Sequence, residues 1–529
     1  MKNYSLPKRK SLNYRFFILA GILLAGTILR FFHLSILDVG NDEIYNIVIS
    51  SLSLPKIYYA VSKEIHPSLW YYILHFWMYF GKNLIILRTL SVLFGILSIP
   101  LFYFLGKKFY GEKVGILSAL FLSLSPFHIY YSQEIRMYSS GLFLAGLQLW
   151  IFLRILESNN KYNIAGFIIL TALSFYNHYS SFYILFGETV FLLIMWTQKR
   201  YLELIRSWII SLFIIFILYL PGTYILFCQT IMVHKFGSKE LIENVYPMPD
   251  LKIIPTTFYN LIFWGYFNMQ VKILFIILII ILFFCGLRTG IKDKLQKGNL
   301  NMTNKEKTIF LSLYLFPPFF ISFILGKLLY SPLMYSPRFF IIFIPAYYFI
   351  ISNGLNNIKS NFIRIISLTL FFGTLLFCSI SLNNGLHKFS RPPTKVTIEY
   401  IKANYQNNDL VMIHFGYYKM LFEYYNKWNI NIGSVLDSFD PMIGAWPLHH
   451  EKVDETYLPK FKKELKGSSR LWLVLTPKIN AQWRDPKNII LRYCENNFNR
   501  IGLKVFKHGG ENEGFFTYEV YLYDLKSKK

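Results

Sequence analysis

Long apolar runs broken by short polar stretches occupy the chain from Phe16 to Leu382. A helix needs about 20 apolar residues to cross a bilayer. Runs that approach this length are Phe16–Leu37, Leu84–Leu105, Val114–Tyr131, Ser139–Leu156, Tyr162–Tyr176, Ser180–Trp196, Trp208–Phe227, Val271–Leu287, Thr308–Leu325, Phe339–Asn353 and Phe362–Leu382. These eleven segments predict eleven spans, two of them short. The first exceeds the ~7–15 apolar residues of a signal peptide. It also carries Arg30-Phe31-Phe32 where a small-residue cleavage site would stand, so it reads as a retained span. Beyond Leu386 the segments shorten and alternate in type. Helices are predicted at Thr397–Tyr405, Lys419–Tyr425 and Pro486–Phe498, and strands at Asp409–His414, Leu471–Leu475, Gly502–Phe506 and Thr517–Asp524. The expected fold is a polytopic α-helical membrane domain over residues 1–383, followed by a three-layer α/β domain over 384–529.

Composition supports this division. Of 529 residues, 54 % are hydrophobic and only 16 % charged, against about 25 % charged in soluble proteins. The net charge of +26 would suggest a nucleic-acid partner in a soluble chain. Here the bases flank the apolar runs, at Lys2, Lys8, Arg9, Lys10 and Arg15, then Lys107, Lys108 and Lys113, and again from Arg288 to Lys307. Alternate loops carry them, which predicts a cytoplasmic N-terminus, an extracytoplasmic C-terminal domain in the cell membrane and no nucleic acid. Four scattered cysteines form no CxxC pair, so neither a zinc site nor a disulfide framework is implied. No GxGxxG or GxxxxGK loop supports nucleotide binding.

Candidate chemistry gathers at the outer ends of the spans. Asp42-Glu43 follows the first span, and His66-Pro67 lies in the long aromatic loop after it. Glu134, Arg136 and Tyr138 fall in Ser132–Tyr138. His178-Tyr179 joins two spans, and Ser336-Pro337-Arg338 opens the tenth. Charges at the rim of apolar helices are costly unless paired or facing a cavity. Carboxylates there can serve as a general base or a metal site, and Arg136 and Arg338 can clamp phosphate oxygens. A lipid-linked phosphate presents such oxygens at this depth. His66 or His178 with Glu43 or Glu134 offers ligands for a divalent cation, although no HxxxH or HExxH spacing reinforces it. The competing reading of Asp42 is an N-cap for an interfacial helix starting near Glu43.

Together, Asp42-Glu43, His66-Pro67, SQEIRMY from Ser132, NHYSSFY from Asn177 and YSPRFF from Tyr335 resemble the GT-C membrane glycosyltransferases. The similarity is to the protein-mannosyltransferase and aminoarabinose-transferase type, over about Phe16–Asn353. It departs at His66-Pro67-Ser68-Leu69, where many relatives read HPPL. The resemblance implies a polyprenyl-phosphate sugar donor, a glycan, lipid or protein acceptor, and a hexosyl- or pentosyltransferase acting on the outer face. It makes Asp42 the base, Glu43 and Glu134 auxiliary or, with His66, metal-binding, and Arg338, beside Arg136, the holder of the donor phosphate. His66, His178 and Tyr138 become substrate contacts. One base suits a single inverting displacement, unlike the carboxylate pair of glycoside hydrolysis. The alternative is a secondary transporter. It accounts less well for rim-placed acids, the lack of an evident repeat and a C-terminal soluble domain.

Overall fold

The computed structural model describes residues 10–236, 253–264, 269–292, 302–328, 336–383, 391–444, 452–476, 485–507 and 517–526. Lys2, Lys8, Arg9, Lys294, Lys297 and Tyr335 of the sequence patterns lie outside them. Each of the eleven apolar runs has a helical counterpart. Helices α1 (Lys10–Phe31), α2 (Asn41–Ser50), α3 (Leu54–Val61) and α4 (Leu69–Trp77) open the chain, and α2–α4 fill the long loop after the first run. Then come α5 (Leu84–Tyr110), α6 (Glu112–Leu124), α7 (Pro126–Ser132), α8 (Tyr138–Glu157), α9 (Lys161–Asn177), α10 (Ser181–Thr197), α11 (Ile205–Phe236) and α12 (Ile253–Phe263). The helical region ends with α13 (Met269–Lys292), α14 (Asn304–Leu315), α15 (Pro317–Leu328), a 3₁₀ segment Pro337–Phe343 running into α16 (Ile344–Asn356), and α17 (Asn361–Asn383). Among the described residues, eight helices are long and apolar enough to span, or nine if the bent pair α6–α7 is one span. At 17 residues each, α9 and α10 reach only about 26 Å at 1.5 Å per residue, short of a ~30 Å hydrocarbon core.

The bend between α6 and α7 measures 58° and has a local cause. Pro126 has no N–H, so the carbonyl of Leu122 loses its i+4 donor, and Ser123 O lies among the unpaired carbonyls of a helix end. Arg30, fully buried, reaches across from α1. Its Nη2 donates to Leu122 O at 2.8 Å and its Nη1 to Ser123 O at 3.2 Å and Gly26 O at 2.8 Å. Nη2 also meets His128 Nδ1 at 2.8 Å, so that nitrogen accepts and His128 carries its proton on Nε2. Gln133, just past α7, donates to Arg30 O and Phe32 O, both at 3.0 Å. The bend is therefore anchored at both ends of α7. Elsewhere α13 and α16 touch backbone to backbone. A Cβ on Gly286 would lie 2.0 Å from Ile350 O, and one on Gly354 2.0 Å from Leu282 O. Asn353 Nδ2 completes the contact at Gly286 O, 2.9 Å.

The chain forms two compact units. One comprises Met1–Leu34, His66–Tyr224 and Lys239–Leu386; the other comprises Ser35–Ile65, Ile225–Ser238 and His387–Lys529. The loop bearing Asp42 thus groups with the C-terminal part of the chain. That part contains α18 (Thr394–Asn404), β1 (Asp409–His414), α19 (Lys419–Tyr425), β2 (Ile432–Val435), α20 (Leu458–Glu464), β3 (Arg470–Leu475), α21 (Ile489–Asn497), β4 (Asn499–Lys507) and β5 (Thr517–Asp524). The sheet order is β2-β1-β3-β5-β4. β1 runs parallel to β2 and β3, while β5 is antiparallel to β3 and β4. All six residues of β1 are buried, as its unbroken apolar run Leu-Val-Met-Ile requires.

The start of β1 is fixed by a buried ion pair. Arg470, opposite Asp409 in the register, donates from Nε to Oδ1 at 2.8 Å and from Nη2 to Oδ2 at 2.6 Å. Trp472 Nε1 and Gln406 N also donate to Oδ2, each at 2.9 Å. Burial alone would raise this carboxyl, but Arg470 and the neighbouring donors outweigh it and hold Asp409 below its ordinary range. Asp409→Asn keeps the volume and removes the charge. Because Arg470 is partly exposed, the expected loss is about 3 kcal/mol, the lower end for breaking a buried pair. It should appear as a lower unfolding temperature of the purified full chain; an unchanged transition would refute the role.

Candidate functional site

In the first unit, six of the residues singled out from sequence come from five chain segments. The strap Gln133–Met137 between α7 and α8 carries Glu134 and Arg136. Ser91 on α5 pins it, donating to Glu134 O at 2.5 Å. Arg136 is 4 % exposed; its Nη2 lies 2.9 Å from His66 Nε2 and 3.5 Å from Tyr138 Oη. A guanidinium only donates, so His66 accepts through Nε2 and holds its proton on Nδ1. Arg136 also sits over the Tyr138 ring, 5.6 Å from its centroid.

His178 caps the end of α9 and is 4 % exposed. Its ring centroid is 6.0 Å from that of Tyr138 and 5.9 Å from that of Phe339, the neighbour of Arg338. Its Nδ1 accepts the Ser180 N–H at 3.1 Å. Burial first, then the positive charges of Arg136 and Arg338, push His178 down to about 3. At neutral pH it is therefore uncharged, with its proton on Nε2. Asn177 holds this turn against α8: it donates from Nδ2 to Met137 O at 3.1 Å and accepts from Ser140 at 2.8 Å. Tyr131 on α7 feels both the Glu134 and the Arg338 charge. Arg136, Tyr138 and His178 thus lie together, with Phe339, the neighbour of Arg338, against the His178 ring.

Asp42 and Glu43 belong to the second unit. The N-cap of α2 is Gly40, with Asp42 inside its first turn, so the expectation that Asp42 caps a helix starting near Glu43 is corrected. Glu43 is 1 % exposed. Its Oε2 accepts the Gly40 N–H at 3.0 Å and pairs with Arg391 Nη1. Asp42 is half-buried, and Asn46, one turn on, donates to its carbonyl at 2.6 Å. Arg391 escaped the sequence reading because nothing local marks it. Arg30 could have been found, since an arginine inside an apolar run is a functional or structural signal by default.

The residues do not suit the divalent cation considered from sequence. Among the described residues, no three His, Cys, Asp or Glu side chains gather to hold one. His66 turns its Nε2 to a guanidinium, and Glu43 is engaged by another.

The helical region with its broken span and C-terminal sheet is similar in fold to solved GT-C membrane glycosyltransferases. ArnT from Cupriavidus metallidurans bound to undecaprenyl phosphate superimposes with a TM-score of 0.57 at 10 % identity, covering 97 % of this chain and 98 % of that one. The oligosaccharyltransferase of Archaeoglobus fulgidus, tethered to an acceptor peptide, gives 0.53 at 10 % identity, covering 93 % and 73 %. Its complex with zinc and sulfate gives 0.53 at 12 %, covering 93 % and 72 %. In sequence, residues 65–225 match the family described as dolichyl-phosphate-mannose-protein mannosyltransferase. No curated protein matches the chain by sequence.

The state of His178 has a measurable consequence. Below its ordinary value of about 6.5 the unfolded chain binds a proton that the folded chain refuses. Stability therefore falls as the pH drops from about 6.5 towards 3. His178→Asn, whose Oδ1 can replace Nδ1 as acceptor for Ser180, should flatten that slope in unfolding temperatures measured between about pH 7 and pH 4. An unchanged slope would show that His178 is not the group responsible.

Proposed function

We propose that this protein is a membrane glycosyltransferase that moves a hexosyl or pentosyl group from a polyprenyl-phosphate donor to an acceptor hydroxyl in one inverting displacement. The observation that carries the reading is the pair Arg136 and Arg338 around a neutral His178. Two cations beside an imidazole that stays uncharged form a site poised for an anion, and phosphate oxygens match the guanidinium fork. Arg136 and Arg338 hold the phosphate, and the Nε2–H of His178 and the Tyr138 phenol add neutral donors. His66 fixes Arg136, and Glu134 supports the strap. Asp42 takes the acceptor proton as the acceptor oxygen bonds to the anomeric carbon. The bond from that carbon to the phosphate oxygen breaks, and its electron pair leaves with the phosphate. Glu43 acts through its hold on the start of α2.

The bilayer presents the lipid donor, and a glycan, lipid or protein supplies the hydroxyl. The basic loops suit a cytoplasmic N-terminus and a C-terminal domain on the far side of the cell membrane. The transporter alternative is weaker, because transporters use the freed carbonyls of broken helices to bind ions. Here Leu122 O and Ser123 O are already occupied by Arg30.

Two substitutions in the purified protein test the assignment. Arg338→Ala removes a charge-assisted bond of about 1.5–3 kcal/mol, so affinity for undecaprenyl phosphate should fall roughly 10–150-fold with folding kept. Asp42→Asn should cut transfer by about a hundredfold or more while leaving undecaprenyl phosphate affinity unchanged. Unaltered affinity in the first variant would reduce Arg338 to an interfacial anchor. Full transfer in the second, with Glu134→Gln inactive, would move the base to Glu134.

A further inference from the structure

The start of α2 is held from the far end of the sequence. Arg391, 8 % exposed at its side chain, donates through Nη1 to Glu43 Oε2 and to the Asp38 carbonyl, the latter at 2.9 Å. At Lys395, one turn into the same segment, the backbone N–H donates to Asp38 Oδ2 at 3.0 Å. Tyr425, at the end of α19, accepts the Val39 N–H on its phenol oxygen at 2.9 Å. Further along α2, the Tyr45 ring meets Phe439 edge-on at 4.4 Å and Tyr417 at 5.3 Å. The turn Asp38-Val39-Gly40 and the first coil of α2 therefore have little freedom, and Asp42 lies between Gly40 and Glu43, two points fixed by the same carboxylate.

We propose that Arg391 is a positioning residue for the transfer reaction: through Glu43 and the Asp38 carbonyl it aims the Asp42 carboxylate, which makes the C-terminal domain part of the catalytic apparatus. This rests on Asp42 being the base. The buried Glu43 carboxylate already accepts the Gly40 N–H and pairs with Arg391, whereas its neighbour Asp42 is half-buried. The stiffness of the turn also has a kinetic use. Displacing a reacting group by about 1 Å costs on the order of a hundredfold in rate, and one nitrogen that grips both a side chain and a main-chain carbonyl ties the turn and the first coil of α2 to the same point.

The test compares Arg391→Met in the otherwise native full chain and in the Asp42→Asn chain, measuring kcat, KM for a polyprenyl-phosphate sugar and affinity for undecaprenyl phosphate. In the native background kcat should fall about 10–100-fold, with KM and lipid affinity within about threefold. In the Asp42→Asn background the same substitution should cost nothing further, because the group it aims is already gone. Arg391→Lys keeps the charge but not the reach and planarity of the guanidinium, and should show the same split at smaller size if the Met variant folds poorly. An equal loss in both backgrounds, or lipid affinity falling in step with kcat, would mean general damage and overturn the proposal. Full activity of Arg391→Met beside an inactive Asp42→Asn would overturn it alone. Full activity of Asp42→Asn would overturn the base assignment and this inference with it.

Discussion

A bundle surrounded by hydrocarbon has to satisfy every backbone polar group from within, because no solvent can do so. The break at Ser125-Pro126 violates that demand, and Arg30 restores it. The guanidinium is the one side chain with enough donors to serve three carbonyls and an imidazole nitrogen from a single position. Once that contact exists, the direction of α7 follows, and with it the exit point of the strap that carries Glu134 and Arg136. Ser91 and Gln133 then lock a strap whose course Arg30 has already set. A purely apolar residue at position 30 would leave the carbonyls of Leu122 and Ser123 unpaired, at a cost of several kcal/mol.

Buried charge has identifiable partners in both units. In the first, Arg136 contacts His66 and Tyr138, and burial first, then the charges of Arg136 and Arg338, keep His178 neutral. In the second, Glu43–Arg391 and Asp409–Arg470 are closed pairs whose charges cancel locally. The pairs of the second hold main chain in place.

Hydropathy located all eleven helical segments, because length and apolar content are local properties. By length alone α9 and α10, at 17 residues each, are the two short members of that set. In the C-terminal domain β1, α19 and β5 appear at the residues expected from their patterns. β2 was missed: Ile432-Gly433-Ser434-Val435 has a central glycine and serine, and three of its four residues are only half-buried at the sheet's edge. α20 was missed because Leu-Pro-Lys-Phe-Lys-Lys-Glu buries Phe461 alone. The arginine, histidine and tyrosine contacts of the first unit join motifs already conspicuous at the span ends. The Glu43–Arg391 pair was illegible, since no periodicity links residues that far apart and each has an ordinary local setting.

That separation, 348 residues, also orders events in time. A ribosome adding about 5–20 residues per second releases Glu43 some 20–70 s before Arg391 exists. Throughout that interval the Asp38–Glu43 turn lacks its clamp, so the segment can pass through the insertion machinery as a pliable loop. Its clamp begins to form when Arg391 emerges, and Lys395, Tyr417, Tyr425 and Phe439 complete it later still. The turn that carries Asp42 thus gains its clamp only as the C-terminal domain is made, and a chain interrupted before residue 391 would display the acidic pair without that clamp.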